Sequence, residues 1–212
     1  MPELAFAVEG AAVIPHAATP LLALTVRIEN APAHEIIQAT LLGCQIRIDA
    51  PLRGYAPSER ERLRDVFGDP DQWHRSLRGL LWTHATATVP PFQGVARVDL
   101  HLPCSADLSA GPAKYFYALD SGQIPLTLQF SGTVFYQAAD GLQVARIPWD
   151  REATFRLEVS VWKEMMAVYY PNTAFISLRA DLFDRLHRYR AAHGLPTWDH
   201  AVERLLGPER SS

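Results

Sequence analysis

The stretch from Ile124 to Val161 constrains the fold more than any other part of the chain. Between Ile124 and Tyr136 the apolar side chains keep one parity and the polar side chains keep the other. A period of two predicts a β-strand with one buried face and one solvated face. Gly132 interrupts the apolar parity, which predicts a β-bulge or the close approach of a neighbouring backbone.

The residues after this strand predict an antiparallel meander. Residues 138–141 end in glycine and favour a tight turn, because glycine accepts positive φ without a Cβ clash. The apolar parity then switches, which predicts a β-bulge near Ala145–Arg146 before a third strand. The inward residues are expected to be Leu142, Val144, Ile147, Trp149, Phe155, Leu157 and Val159. After Val161 the apolar period changes to about 3.6, which predicts a helix as far as Tyr169.

The N-terminal third also alternates. We predict a short edge strand over Leu4–Glu9, a loop over 10–20, and long strands over 22–29 and 36–49. Strands of this length joined by a short turn suit a sandwich or a curled sheet. Residues 57–79 break the pattern, and Ser58 with Glu61 three residues later predicts a helix that begins with a capping box.

Composition limits the classes of partner. The 212 residues carry a formal net charge of −3, which argues against general binding to nucleic acid or to acidic membranes. No run of about 18 apolar residues is present, so we predict no membrane insertion and expect the protein in the cytoplasm. Cys44 shares parity with apolar neighbours and is expected to be buried, and Cys104 is expected to be partly exposed at a strand end.

Recognised reaction motifs are missing from the sequence. There is no glycine-rich phosphate loop, nucleophile elbow, HExxH or EF-hand pattern, and the eight histidines are scattered. We therefore predict no catalytic residue, no metal and no cofactor, although distant residues could still assemble an active site. The binding surface that the sequence favours is the excursion from the sheet that carries Arg53, Tyr55, Trp73 and His74, because loops carry function more often than scaffolds do.

The C-terminal residues follow a different pattern. We predict a strand over Phe175–Arg179, a helix over 181–193 and a second helix capped by Thr197. Strand, helix, glycine and helix at these lengths resemble the ribbon–helix–helix dimers of small repressors and antitoxins. That resemblance implies DNA contacts from Ser177, Arg179 and Thr197. The alternative is a helical hairpin that packs on the sheet of its own chain.

Several short segments, spread over the whole chain, resemble an uncharacterised family of actinobacterial proteins of roughly 200 residues. The segments are 45–48, 67–68, 81–83, 130–135, 147–149 and 195–199. Proteins of this family are often encoded near nickel–iron hydrogenase genes. The resemblance therefore implies an accessory or assembly role, and it transfers no catalytic residue.

These observations predict an α+β fold, an antiparallel β-sandwich or curled sheet with a C-terminal helical cap. The β-rich domain is expected over 1–171, with a helical insertion at 57–79, and the strand–helix–helix segment over 172–212 is expected to pack on it. We favour a non-catalytic binding or accessory protein with a protein partner, such as a hydrogenase component, and a homodimer is left open. The alternatives are a DNA-binding regulator and an enzyme with a dispersed site.

Overall fold

The computed structural model describes residues 2–104, 110–176 and 178–207. The chain divides into two compact units, residues 1–172 and residues 173–212. None of the helices in these described ranges is long and apolar enough to cross a membrane.

The first unit contains nine strands within its described residues. They are β1 (Glu3–Val13), β2 (Leu21–Ala31), β3 (Ile36–Ile48), β4 (Leu80–Val89), β5 (Phe92–Gln93), β6 (Val95–Pro103), β7 (Gln123–Ala138), β8 (Gly141–Arg146) and β9 (Glu152–Glu158). One sheet has the order β1-β2-β6, and the other has the order β4-β3-β7-β8 with β5 on β3 and β9 on β7. All of these pairings are antiparallel.

The helices lie between the strands and after them. They are α1 (Pro57–Arg62), α2 (Arg64–Phe67), α3 (Trp73–Ser76), α4 (Ala110–Ala118), α5 (Val159–Tyr169), α6 (Ala180–Ala192) and α7 (Trp198–Leu206). Helices α6 and α7 belong to the second unit. The antiparallel α+β class is confirmed, as are the predicted helices at 161–169, 181–193 and after Thr197.

One core joins the two sheets. Leu24 of β2 and Leu100 of β6 belong to the same buried cluster as Ile46 of β3 and Leu128 of β7. Trp162 of α5 joins this cluster as well. The buried residues of these strands therefore form a single layer between the two sheets, which is the arrangement of a sandwich.

The central strand β7 confirms the strongest sequence pattern. Ile124, Leu126, Leu128 and Phe130 are almost fully buried. One edge of β7 pairs with β3 along most of its length, and the other edge pairs first with β9 and then with β8. A strand with neighbours on both edges has its backbone groups satisfied, so it can lie in the middle of the sheet.

Gly132 has the close backbone approach that its sequence position predicted. Its φ of +142° is accessible to glycine, and an added Cβ would collide with the carbonyl oxygen of Leu41 on the neighbouring strand. The β3–β7 register continues through this position without a shift. The interruption of the apolar parity therefore marks a steric requirement and not a bulge.

The predicted turn at 138–141 is confirmed, but the predicted bulge at Ala145–Arg146 is wrong. Strand β8 ends at Arg146 without a register shift, and β9 resumes farther along the same edge of β7. Between the two strands Ile147 is buried, whereas Trp149 is 91% exposed and does not face the core as expected. The switch in apolar parity after Val144 therefore marks the gap between β8 and β9, which pair one after the other with β7.

Two other local expectations also require correction. The loop predicted from Gly10 is wrong at its start, because β1 runs to Val13 after a register shift between Val8 and Gly10. The strand predicted over Phe175–Arg179 is also wrong, since the described residues of that segment lie in no regular element. A strand requires a neighbouring strand in the same sheet, and no strand pairing of the described chain includes these residues.

Candidate functional site

Arg53, the first residue of the predicted binding surface, points into the molecule. Its guanidinium holds the carboxylate of Glu59 in a bidentate pair, with both N–O distances 3.0 Å. It also donates to the carbonyl oxygens of Ser121 (2.5 Å) and Gln123 (3.1 Å). The two paired side chains are only 9% and 5% exposed. A bidentate pair in a buried setting fixes geometry strongly, so Arg53 ties the insertion after β3 to the start of β7.

Glu59 is the acceptor at the centre of this arrangement. Its carboxylate also accepts from the backbone N–H groups of Ala56 (3.0 Å) and Asp120 (2.9 Å). Burial by itself would raise the pKa of Glu59, but the hydrogen bonds from Arg53 and from the two amides outweigh burial and lower the pKa. The carboxylate is therefore ionised and fully engaged within the protein.

Glu59 also replaces the capping box that the sequence predicted at Ser58 and Glu61. Helix α1 begins at Pro57, and the Glu59 carboxylate reaches back to the N–H of the N-cap residue Ala56. The Ser58 hydroxyl instead donates to Asp120 (3.0 Å), and Glu61 pairs with Arg64 (2.8 Å). The N-cap lies two residues earlier than predicted, at Ala56 and not at Ser58, because proline at the first helical position is already preset for helical φ.

Tyr55 and Trp73 lie together beside this ion pair. The Tyr55 hydroxyl donates to the carbonyl oxygen of Ala50 (2.7 Å) and lies 2.9 Å from the Tyr115 hydroxyl. The Tyr55 and Trp73 rings meet edge to face at 5.4 Å, and the Arg53 guanidinium lies 5.1 Å from the Tyr55 ring. Burial raises the pKa of Tyr55, so this phenol stays protonated.

His74 does not join the other three residues. Its side chain is exposed on α3, where Nδ1 lies 3.2 Å from the carbonyl oxygen of Asp71. The structure thus brings Arg53, Tyr55 and Trp73 together and leaves His74 at the surface. The polar groups of the three are used within the protein, and a binding role for these four residues stays a prediction.

The second unit presents a different kind of surface. Helices α6 and α7 meet where Trp198 contacts the Phe183 ring at 5.4 Å and the Arg190 guanidinium at 4.1 Å. Among the described residues of this unit only Ala201 is buried. Segments of about 40 residues or fewer seldom bury enough apolar surface to fold alone.

An apolar groove runs along α6. It encloses about 660 Å³ and is lined by Leu182, Leu186, Tyr189 and Leu205, with Arg185 and Arg188 also lining it. Leu182 and Leu205 are exposed. The sequence did show the apolar spacing of these residues, but it could not show that this face remains uncovered. Contiguous exposed apolar patches with a polar rim are a common feature of protein interaction sites.

The predicted DNA contacts are placed as follows. Arg179 is exposed and pairs with Asp181 (3.0 Å). The Thr197 hydroxyl caps α7 by accepting from the N–H of His200 (3.2 Å). Ser177 lies outside the described residues.

The thiols and metal-ligand residues form no reaction centre in the described chain. Cys44 and Cys104 are both free and buried, so the expectation that Cys104 is partly exposed is wrong. Burial raises the pKa of each thiol to about 12, which removes the reactive thiolate at neutral pH. Within residues 2–104, 110–176 and 178–207 no group of three or more His, Cys, Asp or Glu side chains could hold a metal ion.

The fold is thus an antiparallel sandwich followed by helices. The chain belongs to a family of unknown function, DUF6084, whose model matches residues 1–212. No protein with a curated description matches the sequence significantly.

Two solved structures show weak likeness. A late embryogenesis abundant (LEA) protein shares 12% identity over 74% of this chain and 71% of its own, with a TM-score of 0.32. A β-glucosidase from Kluyveromyces marxianus shares 8% identity over 73% of this chain, which corresponds to 15% of the glucosidase, with a TM-score of 0.25. At such TM-scores neither likeness supports a conclusion about this chain.

Proposed function

We propose that this chain is a non-catalytic binding protein that captures a protein partner in the groove of the α6–α7 unit. The observation that supports the proposal is the uncovered apolar face of Leu182, Leu186, Tyr189 and Leu205. A face of this kind suits helix-in-groove recognition, in which an amphipathic helix contributes apolar residues at helical spacing. Because Arg185 and Arg188 line the same groove, the partner helix carries carboxylates beside its apolar ridge.

The resemblance to proteins encoded near nickel–iron hydrogenase genes supports a finer proposal. The partner is a hydrogenase component, and this actinobacterial protein assists assembly or maturation of the hydrogenase complex. It acts in the cytoplasm, where its two free cysteines stay reduced.

Capture from lysate of the native host tests both levels of the proposal. The full chain and its Leu182→Glu and Leu205→Glu variants serve as bait, because both leucines are exposed and belong to the second unit. Leu81→Glu is the matched control, since Leu81 is similarly exposed on β4. We expect the wild type and the control to retain a hydrogenase component that the two groove variants lose.

Two other outcomes of that experiment count against the proposal at different levels. Partners that are sensitive to the groove variants but include no hydrogenase component would reject the hydrogenase role alone. Partners that all four baits retain equally would reject the groove.

The second candidate is a DNA-binding regulator that uses residues 175–206. Support comes from the exposed guanidinium of Arg179 just before α6 and from the capped start of α7 at Thr197. A gel shift at about 50 mM salt with Arg179→Ala tests it, since loss of a groove contact costs about 1–3 kcal/mol of binding free energy. Absence of any shift at this salt concentration rejects DNA binding.

A further inference from the structure

Strand β8 leaves one edge of the six-stranded sheet open. It pairs with β7 on one side, and no strand in the described chain pairs with its other side. The remaining sheet borders lie against each other, with β4 beside β6 and β1 beside β9. An open edge presents unpaired N–H and C=O groups, and these favour pairing with another strand.

The open edge carries an apolar surface. Residues opposite each other in neighbouring strands share a face, so Val144 lies beside Phe135 of β7 and Ala39 of β3. Leu142 lies on the same face, two residues from Val144 along β8 and opposite Gln137 of β7. Leu142 and Val144 are 60% and 59% exposed although both are apolar. The edge contains no proline or lysine, the residues that commonly protect edge strands.

We propose that β8 pairs antiparallel with β8 of a second copy of this chain, about a two-fold axis at Gln143. In this register Leu142 lies opposite Val144 of the second copy, and symmetry repeats that pair. The apolar surface of each copy is then continued across the axis. Main-chain hydrogen bonds join the two six-stranded sheets into one, which is the β-augmentation mode of recognition.

Charge complementarity favours a second copy over an unrelated strand. The same register brings Arg146, at the end of β8, towards Asp140 of the second copy, the turn residue just before its β8, and symmetry repeats this approach. Both residues are exposed, and neither forms an ion pair within the described part of the chain. Oppositely charged pairs across antiparallel strands stabilise pairing, and like charges oppose it. Two symmetric ion pairs thus flank two symmetric apolar pairs.

The interface involves one short strand from each copy, so the dimer is concentration-dependent. Sedimentation velocity of the full chain from roughly 1 μM to 1 mM spans the affinity expected of a small interface. We expect a monomer–dimer equilibrium. Val144→Glu should raise the dimer dissociation constant roughly ten-fold, because symmetry places the buried charge twice in the interface. Leu81→Glu on β4 is the control and leaves the equilibrium unchanged. A chain that stays monomeric throughout, or a dimer indifferent to Val144→Glu, overturns the proposal.

A charge exchange tests the register independently of that variant. Asp140→Arg and Arg146→Asp each bring like charges together, and each should raise the dimer dissociation constant roughly ten-fold. The double variant brings opposite charges together again and should restore the wild-type dissociation constant. Asp140 does not have positive φ, so arginine is compatible with its backbone conformation. Failure of the double variant to recover dimerisation contradicts this register.

Disulfide trapping provides a second measure of register. Gln143→Cys places a thiol on the two-fold axis and is expected to cross-link under mild oxidation, while the buried native cysteines do not compete. Ala145→Cys is the matched control, since its symmetry mate lies about 13 Å away along the strand. Equal cross-linking of the two variants overturns the register. This proposal does not depend on the α6–α7 groove, and the variants of each surface leave the other unchanged.

Discussion

At Gly132 a single hydrogen atom in place of a side chain allows two central strands to pair. The residue has φ of +142°, and the carbonyl oxygen of Leu41 occupies the space that a Cβ would need. Both the backbone conformation and the space exclude other residues. The pairing of β3 with β7, which forms the middle of the larger sheet, therefore depends on glycine here.

The Gly132→Ala variant should lose at least about 2 kcal/mol of unfolding free energy, because it combines backbone strain with a main-chain clash. Urea denaturation followed by far-UV circular dichroism measures the change. Gly10→Ala is the control, since nothing lies within 4 Å of its added Cβ and its φ is not positive. Equal stability of Gly132→Ala and wild type would show that the strands can separate there without cost.

The two cysteines provide another prediction for single residues. Burial keeps Cys44 and Cys104 protonated at neutral pH, with pKa values of about 12. A thiol reagent such as 5,5′-dithiobis(2-nitrobenzoate) should therefore modify neither residue in the native protein and both after unfolding in urea. Rapid labelling of one equivalent without denaturant would contradict the burial of that thiol.

Among the elements, the insertion between β3 and β4 depends most on polar contacts. Arg53 and Glu59 hold it to the turn before β7, and Arg62 adds a hydrogen bond to the carbonyl oxygen of Ala118 (3.0 Å). Apolar residues complete the attachment, since Leu63 and Phe67 of the insertion are buried in the common core. The insertion is therefore part of the first unit's structure and not a loose loop.

Replacing Glu59 by glutamine should cost about 3–5 kcal/mol of unfolding free energy, because the buried guanidinium of Arg53 loses its counter-charge. Glu61→Gln is the matched control, since its pair with Arg64 is exposed and contributes less than about 1 kcal/mol. Chemical denaturation of both variants measures the difference. Similar losses in the two would mean that burial does not strengthen the Arg53–Glu59 pair.

The sequence predicted elements well where their signals are local. The alternation of β7, the turn before Gly141 and the amphipathic spacing of α5 depend on residues close in the chain, and all three are confirmed. The capping box at Ser58 failed because proline and Glu59 set a different start for α1. The strand at 175–179 failed because a strand also depends on a neighbour, which local patterns do not contain.

At the scale of the whole molecule, pH should change stability through Glu59. Its pKa is lower in the folded protein than in the unfolded chain, so its contribution is fully present above the ordinary glutamate pKa of about 4.3. The contribution is lost as pH falls through the folded-state pKa. Denaturation midpoints between about pH 2 and pH 6 should therefore fall more steeply for wild type than for Glu59→Gln. Parallel curves for the two proteins would contradict this linkage.

The surfaces proposed for binding differ in how far the sequence could identify them. The apolar spacing of Leu182, Leu186 and Tyr189 is visible in the sequence, but the same spacing equally predicts a buried helix face. Leu142 and Val144 were expected to face the core, but the register pairs them with Gln137 and Phe135 on the outer face of β7, so both are exposed. Arg53 was singled out for binding, and its buried pair with Glu59 was not visible in a sequence pattern.

The order of strands and helices, and the side of each that is apolar, was determined by the sequence alone, because a period of 2 or 3.6 and the placement of glycine and proline act over a few residues. The tertiary structure decided which strand edge stays open, which apolar faces stay uncovered and which charges become buried. Those properties depend on residues far apart in the chain being brought into contact, as Arg53 is with Ser121 and Gln123, and no local pattern records which of them will meet.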